Sequence, residues 1–505
     1  MDAINSGLAL LLQFDTMGFL LLGIFAGLVV GAIPGLNDNI TFAVFIPFAF
    51  NMDAANALAL MIGVYCSTSI GGAIPAIVLR VPGTASSLLT SIDGHAMARK
   101  GQAPEAMSIA ITSSIFGGLT AALVLIFFAP LLASFALRFG PAENVALGLL
   151  GLASVVGMAS GSFWKGLFAA ALGMMIAMVG YHYGQDRLTF GSFYFFQGVP
   201  LVPLLVGLFG VAAVLEMVEE DVAGRFSDKP ASRATERFGA RLLPMSMVRQ
   251  LWPTWLRGSA IGNVIGVIPG AGALMAIYIS YDQERRLSDG RRARGSDEIP
   301  FGQGAPAGIA APEAANNAVV ASSMVPLLSL GIPGNSVSAL FIAALEIKGM
   351  AAGPLLFQRH IDIVWMILLA FLAANLLMGP IAYASLRWLI GVIYALPRQI
   401  LASAVGLLCL TGAYAVESTM FGVWVALLFG FVGYLFKKTG IPIAPIILAV
   451  ILGERIESSM FNALKLSGGN WLTFIDPVNH PISAVLVLAS AVFLLAPLTR
   501  AFRKT

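Results

Sequence analysis

Apolar residues run along this chain in long blocks separated by short polar stretches. Charge-free runs cover residues 16–37, 54–79, 106–137, 144–164, 188–215, 258–281, 314–345, 363–386, 399–416, 418–436 and 481–499, with shorter ones at 166–181 and 439–453. About 20 apolar residues cross the hydrocarbon core of a bilayer as a helix. The pattern therefore predicts an all-α polytopic membrane protein with about 12 membrane helices. Several runs, 54–79 and 314–345 among them, are too long for one straight span and contain Pro and Gly. For these the pattern predicts broken or re-entrant helices.

Composition agrees with this reading. Of 505 residues, 58% are hydrophobic and 11% charged, against about 25% charged in a soluble domain. A water-soluble fold would have too little polar surface to cover itself. The basic residues concentrate in three places: residues 216–257 (Arg225, Lys229, Arg233, Arg237, Arg241, Arg249 and Arg257), residues 282–298 (Arg285, Arg286, Arg291, Arg292 and Arg294) and the C-terminal tail (Arg500, Arg503 and Lys504). Such clustering is a membrane-topology signal, not a nucleic-acid surface, and it places all three regions, the C-terminus included, in the cytoplasm. If both loops are cytoplasmic, the segment between them dips in and returns or crosses with a partner; otherwise one loop breaks the rule. The N-terminus lacks the basic region of a signal peptide and is expected to be retained. Cys66 and Cys409 fall in apolar runs and fit buried packing positions.

The two halves echo each other. Gly31-Ala-Ile-Pro34-Gly35 matches Gly266-Val-Ile-Pro269-Gly270, 235 residues on. The segment from Ile74-Pro75 through Arg80-Val-Pro82-Gly83-Thr84 matches Val325-Pro326 through Gly331-Ile-Pro333-Gly334-Asn335, 251 residues on. One such match is cheap in a chain with 54 Gly and 26 Pro. Two in the same order at nearly equal offsets point to an internal repeat, expected to be inverted. The chain then divides into a first transmembrane half (1–220), a cytoplasmic linker (221–250) and a second transmembrane half (251–505). Pro/Gly-interrupted apolar segments at corresponding places in two halves point to a transporter site. Breaking a helix at membrane depth frees N–H and C=O groups that protein, water or ligand must satisfy. Half-helix N-termini then attract anions and C-termini cations.

With these motifs the chain resembles the large membrane subunit of the tripartite tricarboxylate transporters, the TctA family. The resemblance is carried by Ser280-Tyr281, Phe301-Gly302-Gln303-Gly304, Ala311-Pro312-Glu313-Ala314-Ala315-Asn316-Asn317-Ala318 and Leu330-Gly331-Ile332-Pro333-Gly334. The first half contributes Gly31-Ala-Ile-Pro34-Gly35-Leu36, Gly71-Gly72, Pro82-Gly83-Thr84 and Asp93-Gly94-His95-Ala96-Met97-Ala98-Arg99-Lys100-Gly101. Departures from the family pattern are Asn37-Asp38-Asn39 where small or hydroxyl residues are usual, Ala73 for Ser, Arg80 for Asn and His95-Ala96 for Tyr-Pro. They fall in the first half's candidate site and bear on the substrate more than on the fold. The resemblance implies a bacterial inner-membrane secondary carrier. On that resemblance, a periplasmic solute-binding protein delivers a di- or tricarboxylate or related organic acid, a small transmembrane subunit assists, and a Na+ or H+ gradient drives uptake. No other cofactor and no metal is implied, and no Walker-type phosphate loop is present.

The candidate substrate-binding residues are Pro34, Gly35, Asn37, Pro82, Gly83, Thr84, Ser86, Pro269, Gly270, Pro333, Gly334, Asn335 and Ser336. The candidates for cation coupling are Asp38, Glu313, Asn316 and Asn317. Ionisable residues at membrane depth are functional candidates by default. Glu313 shares a helix face with Asn316 and Asn317; the plainer alternative is a helix-start residue at the water interface. Hydroxyls and amides after the Pro-Gly turns can hold a carboxylate or simply cap helices. Asp38 binds a cation, pairs with Arg80, or marks a surface turn. Arg80 itself anchors a carboxylate or snorkels. Asp93, Arg99 and Lys100 read as a loop at the water boundary, and Glu417 as a turn. His95, His182, His360 and His480 have no metal-ligand spacing, and no Ser-His-Asp or paired-carboxylate arrangement can be recognised. An enzyme is therefore not expected. An ion-coupled symporter for another small solute, a channel and an intramembrane enzyme stand behind the carboxylate permease as alternatives.

Overall fold

The computed structural model describes residues 2–33, 36–158, 163–182, 185–222, 242–395 and 398–502. Pro34 and Gly35 lie outside the described residues, as do Arg225, Lys229, Arg233, Arg237 and Arg241 of the charged linker. The chain is an all-helical, multi-pass membrane protein, with one small antiparallel hairpin in which Tyr181 faces Asp186. Among the described residues, seven helices are long and apolar enough to cross a membrane: Phe14–Gly31, Ala54–Leu79, Ala103–Ala136, Leu201–Glu219, Ile361–Gly391, Gln399–Glu417 and Met420–Thr439. Asp38–Phe50, Pro141–Gly157, Phe163–Ala177, Ser336–Ile347 and Pro481–Leu495 are apolar but shorter.

The expected interruptions are redistributed. Run 54–79 is one continuous helix, and its 18-residue apolar window is buried throughout. Pro75 sits too near its C-terminus to break it, and the chain turns only at Arg80, which adopts a left-handed conformation (φ 60°). Run 314–345 is interrupted as expected. Helix Pro306–Ser322 leads into Met324–Leu330, the chain turns at Gly331 (φ 75°), and helix Ser336–Ile347 follows. Run 258–281 breaks as well, between helices Met245–Val267 and Gly272–Arg292, with Gly270 and Gly272 at positive φ. Run 188–215 is α-helical only from Leu201, after a short 3-10 turn at Phe193–Phe195. Its first part is irregular and exposes Phe190, Phe193 and Tyr194, residues suited to a membrane–water boundary. The charged stretch 282–298 is mostly not a loop, because helix Gly272–Arg292 runs through it, supported by the i,i+4 pair Arg286–Asp282 at 2.8 Å.

Both halves share a local construction. Gly23, Gly27 and Gly31 press against the backbone of helix Ala54–Leu79, where added Cβ atoms would meet the carbonyls of Leu60, Val64 and Thr68. Gly258, Gly262 and Gly266, each 235 residues on, press against helix Pro306–Ser322, the first two on the carbonyls of Ala311 and Ala315 and the third on the Ser322 side chain and the Val319 backbone. Stripes of glycine at four-residue spacing let membrane helices approach to backbone contact. The correspondence continues into the turns. Val81 N–H bonds to the Pro75 carbonyl at 3.3 Å, and Ile332 N–H to the Pro326 carbonyl at 3.3 Å, closing each helix with the long-range bond of a left-handed C-cap. Gly83 then rests on the Gly31 carbonyl and Gly334 on the Gly266 carbonyl. Each Pro-Gly turn thus sits on the last glycine of its own half's stripe.

Replacing Gly27 or Gly262 by Val is expected to destabilise the protein by about 2 kcal/mol, because the backbone carbonyls of Val64 and Ala315 are among the obstructing atoms. Thermal unfolding in detergent measures this, with exposed Gly18→Val, whose Cβ would meet nothing within 4 Å, as the silent control.

Candidate substrate-binding site

Where the turns of the two halves converge, the described residues enclose a cavity of about 520 Å³, within the range of small-molecule sites. One wall is the start of helix Asp38–Phe50. Asn37 caps it, its side chain accepting from Ile40 N–H at 3.0 Å, and Asp38 and Asn39 follow along the cavity. Another wall is the start of helix Ser336–Ile347, where a capping box holds the first turn. Asn335 Oδ1 accepts from Ser338 N–H at 2.8 Å, and Asn335 N–H donates to Ser338 Oγ at 2.8 Å. Gly270, Tyr278, Asn316, Tyr65, Ser69 and Ser86 complete the polar lining. Gly270 N–H donates to the Gly334 carbonyl at 2.9 Å, so the two second-half breaks are tied to each other.

Several expected residues therefore meet: Asn37, Asp38, Ser86, Gly270, Asn316, Asn335 and Ser336 share one cavity. Pro333 lines a small recess beside it with Gly270, Asn335 and Ser336. Pro82, Gly83, Pro269 and Gly334 do not line it; they shape the turns behind it. Thr84 turns away, its hydroxyl bonding those of Ser86 and Ser87 at 3.0 Å. Asp38 has no ion pair with Arg80, which is exposed at the C-terminal end of its helix and does not reach the cavity. Three buried polar atoms on the cavity-lining residues have no hydrogen-bond partner among the described residues: Asp38 Oδ1, Asn39 Oδ1 and Asn316 Nδ2.

Glu313 and Asn317 lie elsewhere. Glu313 is no helix-start residue at the water interface, because it sits mid-helix and fully buried. Its carboxyl oxygens accept from Thr90 Oγ1 at 2.6 Å and Ser114 Oγ at 3.0 Å. Successive helical residues advance by about 100°, so Asn316 points some 60° away from Glu313. In a helix packed on several sides, that angle separates two clefts. Asn317 donates from Nδ2 to the Glu313 carbonyl at 3.2 Å, leaving its Oδ1 without a partner among the described residues.

Two functional groupings were not foreseen. Buried Tyr65 joins the halves: its hydroxyl accepts from Asn335 Nδ2 at 2.8 Å and lies 3.2 Å from Ser323 Oγ. The only signal in the sequence is a phenol close to Ser67, Thr68 and Ser69 in an otherwise apolar run. Asp93, expected in a loop at the water boundary, is instead fully buried on helix Thr90–Arg99. Its Oδ1 accepts from the N–H groups of Gly302, Gly304 and Ala305 at 2.8, 2.9 and 2.9 Å, and its Oδ2 from Tyr281 Oη at 2.9 Å. The Phe301-Gly302-Gln303-Gly304 motif, with Gly302 and Gly304 at positive φ, thus presents its backbone donors to one first-half carboxylate. A helix start buried without such a partner would leave those donors unsatisfied.

A family model described as "Tripartite tricarboxylate transporter TctA family" matches residues 17–448. The chain belongs to the TctA family. Among curated relatives, it is 34% identical over 486 residues to an uncharacterized 52.8 kDa protein of Agrobacterium vitis from the TAR-I ttuC' 3' region, covering 95% of this chain and 93% of that one. A second A. vitis protein, from the TAR-II ttuC' 3' region, is 32% identical over 245 residues, covering 48% of this chain and 97% of that one. No solved structure matches the chain. TctA is a transporter family, and the helices that cross the membrane and the cavity between their breaks are read in that light.

Asp93→Ala in this TctA-family chain leaves three backbone donors and a phenol unpaired and is expected to cost about 3 kcal/mol or more. Tyr65→Phe, which removes one hydroxyl from a cross-half network, is expected to cost about 1 kcal/mol. Monodispersity and thermal unfolding of the two purified variants compare these losses; equal stability of Asp93→Ala and the parent would contradict the role given to the carboxylate.

Proposed function

We propose that the chain is the large membrane subunit of a binding-protein-dependent secondary carrier in the bacterial inner membrane, importing an organic acid with Na+ or H+. A periplasmic solute-binding protein and a small transmembrane subunit complete the carrier. The observation that carries this reading is the convergence of helix ends from both halves on one cavity, lined by amides and hydroxyls among apolar side chains, that contains no basic side chain among its described lining residues. A carboxylate there is held by amides, hydroxyls and the start of helix Ser336–Ile347 rather than by fixed positive charge. Such a site binds loosely enough to release its cargo. Glu313, buried with two hydroxyl donors, is the group that takes up and releases the coupling cation, with Asn316 and Asn317 beside it on the same helix. Asp38 is a second candidate for that role. The halves are related as an inverted repeat, and alternating access follows from moving the turn-bearing elements against the remaining helices.

Uptake of labelled organic acids into vesicles carrying the complete carrier tests the reading. Asn335→Ala is expected to lower uptake by at least about tenfold through weaker binding, a loss of about 1.4 kcal/mol. Glu313→Gln is expected to abolish accumulation against a gradient while the folded yield is kept. Full accumulation by both variants would overturn the assignment.

A further inference from the structure

A second concavity, of about 950 Å³, opens between helices Ala103–Ala136 and Met245–Val267. Val124, Phe128, Leu131 and Phe135 recur at three- and four-residue spacing and form one wall. Val264 stands on the other, and Ile268 closes the groove beside the second-half break. Phe128, Leu131, Phe135 and Val264 are between 45% and 65% exposed. Apart from Ser134 and Asn263 the rest of the lining is apolar, with one charged side chain, Arg138. About 20 Å at helical rise separate Val124 from Arg138, enough to cross one leaflet of a hydrocarbon core about 30 Å thick. Residues 106–137 carry no charge, so Arg138 marks the water boundary at that end of the groove. Arg138 is exposed and makes no ion pair with a described residue. Glu143, five residues on, is already committed. Its Oε2 accepts from Gly140 N–H at 2.9 Å, and its Oε1 lies 2.9 Å from His480 Nδ1.

We propose that this groove binds an anionic phospholipid, with an acyl chain along Phe128, Leu131 and Val264 and the phosphate on the Arg138 guanidinium. Lipid tails are as apolar as the groove, so the apolar wall gives fit but little selection. Selection comes from the charge-assisted contact between guanidinium and phosphate. A zwitterionic lipid carries its own ammonium beside the phosphate and gains less there. A second copy of this chain, docked symmetrically through the same groove, would bring the same lining. That lining holds no Asp or Glu, so it has no anion to offer Arg138. Ile268 lies two residues before Gly270, which lines the cavity between the turns. The bound acyl chain therefore braces the second-half break from the membrane side.

Native mass spectrometry of the full chain purified in detergent reads the site directly. Phosphatidylglycerol and phosphatidylcholine with identical acyl chains are added in competition. The parent is expected to retain about fivefold more phosphatidylglycerol, the preference that one basic side chain confers near an anionic lipid. Phosphatidylglycerol, but not inorganic phosphate, should also raise the Tm. Arg138→Gln should bring the two lipids level. Val264→Trp, which fills the groove and leaves Arg138 in place, should lower the retention of both. Circular dichroism and monodispersity confirm that the variants fold, and the comparison of lipids on the parent needs no variant. Equal retention of the two lipids by the parent would overturn the inference, and so would a full preference surviving in Arg138→Gln. Stabilisation by inorganic phosphate alone would make Arg138 a free-anion site and sink the lipid. A dimeric parent that Val264→Trp turns into a monomer would make the groove a contact between copies, with the same consequence.

Discussion

Backbone hydrogen bonding at membrane depth is the constraint on which this structure turns. Lipid offers nothing to an exposed N–H or carbonyl, so every interruption in a membrane helix must be matched by protein around it. Here the matching is done by glycine stripes. Helix Phe14–Gly31 lies in backbone contact with Ala54–Leu79, and Met245–Val267 with Pro306–Ser322. Because the helices are so close, each Pro-Gly turn can rest on the last glycine of the stripe, and its capping bond forms inside a packed wall. The cavity is the space left where the turns of the two halves face each other.

The stripes also explain why the halves look alike at a detail that side chains would hide. Arg80 and Gly331 occupy the same left-handed position, although only one of them is a glycine. Arg80 accepts the strain of that conformation at a place where the helix must end and a side chain can reach outward. The bonds from Val81 to Pro75 and from Ile332 to Pro326 have the same length. The backbone plan is therefore common to both halves, while side chains differ where they face the cavity: an amide at Asn335, a hydroxyl turned aside at Thr84.

Much of this plan was legible from residue pattern. The membrane class follows from the apolar runs, the paired turns from repeated Pro-Gly motifs, and the gathering of Asn37, Asp38, Ser86, Asn335 and Ser336 from their places beside those turns. Other features were illegible for definite reasons. Pro75 and Pro82 lie close together, and only packing decides that the helix ends after the first rather than at it. Glu313 and Asn316 share a face by spacing, yet tight surroundings convert a modest angle into separate environments. Tyr65 and Asp93 act through partners some 270 and 210 residues away, a distance over which local pattern carries no information.

The carboxylate of Asp93 bears on how the molecule can move. It gathers four donors from the second half at the foot of helix Pro306–Ser322, the rod that carries both Glu313 and Asn316. A sliding displacement by one helical turn would strip all four bonds at once, whereas swivelling about that point would strip none. The foot of the rod is thereby tethered to the first half, and Asn316 stands farther from that tether along the helix than Glu313 does.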